Sequence, residues 1–203
     1  MIDIRQAKPS DLQALYQISI ETGHAGGDAR QLYSDQKLIG HVYSAPYLVF
    51  EPDLAIVATK ADQVVGYCVG TSNTTKFEAT LEQNWWPSLR EKYAKPDANN
   101  RSDWTGDERL SQMIHMPEPT PTEITNHFPA HIHMNLCASV QGQGIGSRIL
   151  AAWLERAVQS GVAAVHLGAD PGNSPAIGFW KSQGFDELNI PDQHAVWMGR
   201  RMP

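Results

Sequence analysis

Three features are scarce in this sequence of 203 residues: cysteine, long apolar runs and net positive charge. The two cysteines, Cys68 and Cys137, show no metal or redox spacing, which predicts no metal site and suits a reducing cytoplasm. No stretch approaches the about 18 apolar residues of a membrane span, and no signal-peptide pattern opens the chain. The formal charge of −6 gives nucleic-acid binding no electrostatic support. We therefore expect a cytoplasmic protein that binds neither membranes nor nucleic acid.

A glycine-rich turn at 141–146 lies between an apolar strand pattern and an amphipathic helix pattern. Apolar residues such as Ile149 and Trp153 recur at the spacing of one buried helix face, and Gly161 ends the helix. The first turn of a helix exposes unpaired N–H groups and the positive end of its dipole. Residues without a Cβ let an anion approach that backbone closely. The pattern therefore predicts a diphosphate-binding loop.

Two common diphosphate-binding motifs are absent from this loop. No lysine follows the glycines, as a Walker P-loop requires. A Rossmann fingerprint would place Ser147 at its last glycine, and Asp170 is too distant to serve as its acidic residue. The pattern Q/R-x-x-G-x-G/A is matched by Gln141, Gly144 and Gly146. Glycines that serve packing alone are the remaining alternative.

The loop and its flanks resemble the GCN5-related N-acetyltransferase (GNAT) superfamily. A strand pattern at 134–138 precedes the loop, with Ala138 where proline is usual. The pattern N-x-x-A-x-x-x-Y-x-x-x-G-F follows at 173–185, with Trp180 at the tyrosine position. The resemblance implies an α/β fold, with a twisted mixed sheet of about six or seven strands flanked by helices. It also implies acetyl-CoA as the cosubstrate.

The same resemblance implies which residues bind acetyl-CoA. In the superfamily, two central strands separate, and the pantetheine arm pairs with the backbone exposed there. The N–H of Leu136 would polarise the thioester carbonyl, and Asn173 would reach the pantetheine. The residues expected to bind the cofactor are Leu136, Cys137, Ala138, Gln141, Gly142, Gln143, Gly144, Ile145, Gly146, Ser147 and Asn173.

Four residues are candidates for the proton transfers of acetyl transfer. His133 is a candidate base, because its ordinary pKa lies near neutrality, and His131 is an alternative base on the same strand. Asp170 could orient a histidine or bind a cationic amine, or could simply form the turn before Pro171. Trp180 replaces a tyrosine that protonates the leaving thiolate in many relatives, and an indole does not titrate usefully. The activity could therefore be weak, or the chain could be a non-catalytic module that binds acetyl-CoA or a protein partner.

The acceptor amine has fewer sequence signals. A flexible loop precedes a helix predicted over 29–41, where Tyr33 could touch the acceptor. A hairpin predicted from 54–59 and 64–71 contains Gly70, which predicts either a bulge or a close backbone approach. An insertion at about 74–129 follows, with Trp85 and Trp86 as candidate acceptor contacts or as anchors to the core. His131 shares a strand face with His133 and is a further candidate.

The insertion allows a narrower comparison. Its segments resemble the C-terminal acetyltransferase-like domain of O-GlcNAc hydrolases, from about residue 40 to the C-terminus. The matching segments are 66–71, 86–87, 91–93, 95–96, 126–129 and 196–200. No glycosidase segment is present, so we expect a free-standing acetyltransferase domain over 1–203 with a small-molecule or peptide amine as acceptor.

Overall fold

The structure is a computed structural model, and it describes residues 1–190 and 194–202. The sequence also predicts a turn at Ile190-Pro191-Asp192, of which Pro191 and Asp192 lie outside these residues. The described strands form one seven-stranded mixed sheet in the order β1-β2-β3-β4-β5-β7-β6. They are β1 (Ile2–Gln6), β2 (Ala55–Lys60), β3 (Gln63–Thr71), β4 (Ala130–Leu136), β5 (Ala164–Ala169), β6 (Asp186–Glu187) and β7 (Val196–Arg201). The expected α/β fold with a mixed sheet is confirmed.

Helices cover both faces of this sheet. They are α1 (Leu12–Thr22), α2 (Leu38–Tyr43), α3 (Ala45–Phe50), α4 (Thr74–Asn84), α5 (Trp86–Lys92), α6 (Gly106–His115), α7 (Thr122–Thr125), α8 (Ile145–Gln159) and α9 (Ser174–Ser182). The helix predicted over 29–41 was wrong, since α2 begins only at Leu38. The carboxylates of Asp28 and Asp35 accept the N–H groups of Arg30 and Lys37, and such bonds favour turns over helix.

Two apolar layers sandwich the sheet. One face, here called the α1 face, packs against α1 to α6; the opposite α8 face packs against α8 and α9. Trp153 of α8 is fully buried and donates its indole N–H to the Leu54 carbonyl at 2.9 Å. A Cβ at Gly70 would lie 2.6 Å from the Trp153 ring, so the close approach predicted at this glycine is confirmed.

The insertion forms α4 to α7, between β3 and β4, and it packs on the α1 face. Pro87 lies in the first turn of α5, where the chain breaks from α4. The buried insertion residues in this core are Phe77, Leu81, Trp86, Leu89, Leu110 and Ile114. The insertion is therefore part of the folded core, and it extends the helical layer that faces the middle of the sheet.

Candidate active site

The middle of the sheet opens between β4 and β5. These parallel strands pair only at Ala130–Val165 and His131–His166, and they separate beyond that point. The Cys137 N–H bonds to the Val65 carbonyl at 2.9 Å, in the same register that pairs β3 with β4. Alternate residues of an antiparallel ladder bond to the partner strand, so the peptide groups of Met134 and Leu136 face the cleft instead. The backbone predicted to polarise a carbonyl is thus exposed.

Met134 was missed at the sequence level. The motif placed Leu136, Cys137 and Ala138 at the cleft, but their pairing depends on the register with β3. In the structure Cys137 directs its N–H to β3, and Ala138 begins a single 3-10 turn, Ala138–Val140. The strand therefore offers the cleft the N–H of Met134 as well as that of Leu136.

The glycine-rich loop meets the N-terminus of α8 at the open end of this cleft. Gly142 and Gly144 have φ values of +70° and +72°, which favour glycine. The first helical bond runs from the Arg148 N–H to the Gly144 carbonyl at 3.2 Å. Within the described part of the chain, the N–H groups of residues 142–147 have no hydrogen-bond partner. Six successive donors at a helix N-terminus form a suitable site for an anion.

The two glutamines of the loop brace it from within. The Gln141 side chain donates to the Leu136 carbonyl, and the Gln143 side chain donates to the Ser139 carbonyl, each at 2.9 Å. Their amides therefore fix the loop and leave its backbone N–H groups for a ligand.

Asn173 and Cys137 lie beside the cleft with part of their bonding capacity used. The Asn173 side-chain oxygen caps α9 by accepting the Ala176 N–H at 3.1 Å, and this bond does not use the amide NH₂ group. Cys137 is half-buried, and burial raises the pKa of its thiol. A protonated thiol is a poor nucleophile, so the structure supports a packing role for this side chain.

His131 is bonded through both ring nitrogens. The Tyr47 hydroxyl lies 2.7 Å from Nε2, and the Thr74 hydroxyl lies 2.8 Å from Nδ1. The Thr74 hydroxyl is also 2.8 Å from the Pro129 carbonyl, to which it can only donate. It then accepts from Nδ1–H, which leaves Nε2 to accept the Tyr47 proton. Burial lowers the pKa of His131 well below its ordinary value, and this neutral ring holds β4, α3 and α4 together.

His133 lies two residues beyond His131 on the same face of β4, just past the last β4–β5 pair. Its ring makes edge contacts with Tyr43 and Tyr47, at centroid distances of 5.6 Å and 5.4 Å. No described residue bonds to its ring nitrogens, and neither nitrogen is sealed from solvent. Burial, with His166 nearby, lowers the pKa of His133 to about 4. The ring is therefore neutral near pH 7 and able to accept a proton.

Asp170 and Trp180 lie apart from His133. Asp170 is exposed, and its carboxylate accepts the Gly172 N–H at 2.7 Å in a turn-forming bond. The lowered pKa of His133 comes from burial and from His166, with no contribution from Asp170. Trp180 is buried, with its ring edge-on to Phe179 and Phe185 at 5.2 Å and 5.1 Å. Neither arrangement adds an acid or a base beside His133.

The remaining acceptor candidates help to anchor the insertion. Trp86 is buried in the core, and Trp85 donates its indole N–H to the His41 carbonyl at 2.9 Å. Tyr33 is half-buried, and its ring approaches Gly106 at the start of α6. The rings that surround His133 are those of Tyr43 and Tyr47, which sequence reasoning missed. They lie on two separate helices, α2 and α3, so no helical spacing in the sequence indicated that they would meet His133.

Other kinds of site have no support within the described ranges. No group of three or more His, Cys, Asp or Glu side chains in residues 1–190 and 194–202 is placed to bind a metal ion. None of the described helices is long and apolar enough to cross a membrane.

Comparison with known proteins agrees with this geometry. Residues 123–185 match the profile of the acetyltransferase (GNAT) family. The crystal structure of SsHAT is 34% identical, with a TM-score of 0.91 over 98% of both chains. An N-acetyltransferase, PaiA from Thermoplasma acidophilum in complex with coenzyme A, shares the fold, with 14% identity and a TM-score of 0.60 over 100% of this chain and 99% of that one.

The similarity to O-GlcNAcases is also present. Protein O-GlcNAcase of Rattus norvegicus is 25% identical over 186 residues, or 91% of this chain, and the Mus musculus protein matches equally. The chain spans only 20% of the length of these relatives.

Proposed function

Because this chain belongs to the acetyltransferase (GNAT) family, we propose that it is an N-acetyltransferase that moves the acetyl group of acetyl-CoA directly to an amine. The main support for the proposal is that two sets of free backbone N–H groups form one continuous path. The cleft N–H groups of Met134 and Leu136 lead to the unpaired N–H groups of residues 142–147. A pantetheine arm with a pyrophosphate at its end suits that path.

The proposed reaction uses these donors and one side chain. The amine nitrogen attacks the thioester carbonyl carbon, and the negative charge that develops on the oxygen is stabilised by cleft N–H groups. The carbon–sulfur bond then breaks, and coenzyme A leaves as a thiolate. His133 accepts the proton that the amine nitrogen loses, directly or through water.

Trp180 limits the rate in this scheme and does not prevent the reaction. An indole N–H can donate a hydrogen bond but cannot supply a proton to the leaving thiolate. A thiolate is a stable leaving group, so solvent can protonate it after it departs. We therefore expect turnover below that of relatives with the tyrosine.

The test compares the wild type with His133→Gln, which keeps the size and polarity of the side chain but removes the base. Acetyl transfer to a panel of amines is followed by release of the free thiol of coenzyme A. We expect the variant to lose about 10²- to 10⁴-fold in kcat, with an unchanged Kd for acetyl-CoA. Equal turnover by both proteins would exclude His133 as the base.

A second candidate function is a module that binds acetyl-CoA without catalysis. The burial of Trp180 among aromatic rings favours it, because the position usually taken by the acid serves the core. This candidate predicts acetyl-CoA binding with no transfer to any amine in the panel. Transfer that is abolished by His133→Gln would eliminate it.

A further inference from the structure

The side chains around His133 differ from those expected around a strongly cationic substrate. We propose that the acceptor is a weakly basic amine on a flat apolar body, of the arylamine class, and that lysine side chains and polyamines are poor acceptors. This inference rests on the acetyl-transfer function proposed above.

Two aromatic rings contact His133, and a third lies across the cleft beside His166. Tyr43 and Tyr47 approach it from the helical layer. Across the cleft, the Trp197 ring lies 5.9 Å from the His166 ring. A Cβ at Gly168 would stand 3.3 Å from the Trp197 ring, so this indole lies over the glycine. Flat rings of this kind pack well against a flat apolar ligand.

Among residues 1–190 and 194–202, no carboxylate or cation is in contact with the His133 ring. Burial is the main cause of the lowered pKa values of His131, His133 and His166, and neighbouring histidines add to the lowering at His131 and His133. Backbone hydrogen bonds oppose it at His166. The carboxylates of Glu51 and Glu78 are bonded to other groups: Glu51 accepts the Thr71 hydroxyl at 2.7 Å, and Glu78 accepts the Thr120 hydroxyl at 2.8 Å. An ammonium group beside His133 would lose hydration without a carboxylate in direct contact among the described residues.

The tyrosines do not form a cage that could replace such a counter-charge. A cation binds over the face of an aromatic ring. One face of Tyr47 is stacked on Phe77, at 4.5 Å and 22°. The planes of Tyr43 and Tyr47 are inclined by 65° and 62° to that of His133, in edge contacts. This packing suits a neutral aromatic neighbour better than a cation.

The chemistry of His133 agrees with this lining. Because burial leaves its ring weakly basic, the ring cannot efficiently deprotonate a strongly basic ammonium ion before the attack. An arylamine is already uncharged at pH 7. It gives up its proton only after the nitrogen has attacked, when that nitrogen has become acidic.

The first experiment compares aniline, cyclohexylamine, 1,5-diaminopentane and a lysine peptide as acceptors at pH 7. The first two have rings of similar size and differ in basicity. We expect aniline to exceed each of the other three by at least about tenfold in kcat/KM. A preference for the diamine or the lysine peptide would overturn the inference while leaving acetyl transfer intact.

Binding of the amines is measured separately, so that the inference about the acceptor can be tested even if no amine is acetylated. Ring signals of labelled histidines are followed by NMR during titration, and His133→Gln identifies the His133 signal. We expect aniline to shift that signal and diaminopentane to leave it unchanged. If aniline does not shift it, the inference fails, whether or not acetyl-CoA binds in calorimetry.

A matched pair of variants tests the role of charge. Tyr43→Glu places a carboxylate beside His133, and Tyr43→Gln has nearly the same size without the charge. We expect the ratio of aniline to diaminopentane turnover to be about tenfold lower in Tyr43→Glu than in Tyr43→Gln. Equal ratios in the two variants would show that charge in this lining does not select the acceptor.

Discussion

The cofactor region, 130–185, and the insertion, about 74–129, contribute to the candidate site in different ways. The cofactor region offers backbone N–H groups along a splayed strand and at a helix terminus. The insertion contributes side chains: Thr74 bonds to His131, and Phe77 stacks on Tyr47. The backbone N–H groups are present although Ala138 stands where proline is usual and Trp180 where tyrosine is usual, whereas side-chain contacts depend on the identity of each residue.

We therefore expect a division of roles, in which one region binds the cofactor and the other shapes the acceptor site. The cofactor should be recognised through groups that most substitutions leave in place, and the acceptor through rings that a single substitution alters. Three predictions test the division, beginning with the one that removes a backbone donor from the cleft.

Met134→Pro should produce the largest effect on the proposed reaction. Proline lacks the N–H that faces the cleft, and no ladder bond to β3 is lost, because that N–H is not part of the ladder. We expect kcat to fall by about 10²- to 10³-fold, the usual cost of losing one such donor. The matched control is Met134→Ala, which removes the side chain but keeps the N–H. If both variants have equal kcat, backbone polarisation at this position is excluded.

The two regions also differ in how much of their structure could be predicted from the sequence. The glycine loop could be found because few residues tolerate positive φ, as at Gly142 and Gly144. The orientation of Met134 could not be found, since it depends on the register between β3 and β4. The aromatic neighbours of His133 come from α2 and α3, so their contacts exist only after long-range packing.

A second prediction concerns acid stability of the neutral histidines. Burial lowers the pKa of His133 from 6.5 to about 4, so the unfolded chain takes up a proton before the folded chain does as the pH falls. Folding stability is therefore lost between pH 6.5 and 4, and fully retained above 6.5. We expect His133 to cost about 2 kcal/mol between pH 6.5 and 5, at about 1.4 kcal/mol per pH unit.

Urea unfolding of the wild type and His133→Gln at both pH values measures this difference. The variant should lose less stability on acidification, because glutamine does not titrate. His41, whose pKa is also lowered by burial, titrates in both proteins and cancels in the comparison. The pKa of His131 is lowered mainly by its own burial, which both proteins retain. Parallel loss of stability in the two proteins would contradict a neutral, buried His133.

The smallest effect is expected at the contact between the 23–37 loop and the insertion. Asp35 accepts bonds from the Lys92 ammonium at 2.8 Å and the Tyr93 hydroxyl at 2.7 Å. Burial opposes ionisation of Asp35, but bonds from Lys92, the Lys37 N–H and Tyr93 lower its pKa to about 2. Since the pair is partly exposed, Asp35→Asn should cost at most about 1 kcal/mol of unfolding free energy.

This variant also separates the two regions. We expect Asp35→Asn to leave the Kd for acetyl-CoA unchanged, because Asp35 bonds to the insertion and not to the cofactor region. Urea unfolding and calorimetry provide the two readings, with Tyr93→Phe as a second way to weaken the contact. A change in acetyl-CoA affinity would show that the regions are coupled.

The most direct test of the central claim is calorimetric titration of acetyl-CoA into the wild type, Ser147→Asp and Ser147→Asn. Ser147 lies in the first turn of α8, where a carboxylate stabilises the helix by about 0.3–1 kcal/mol but repels a pyrophosphate. We predict about micromolar affinity for the wild type. We also predict binding at least about tenfold weaker in the aspartate variant than in the asparagine variant, despite its more stable fold. No binding by the folded wild type, or equal affinities in the two variants, would contradict a pyrophosphate site at this helix terminus.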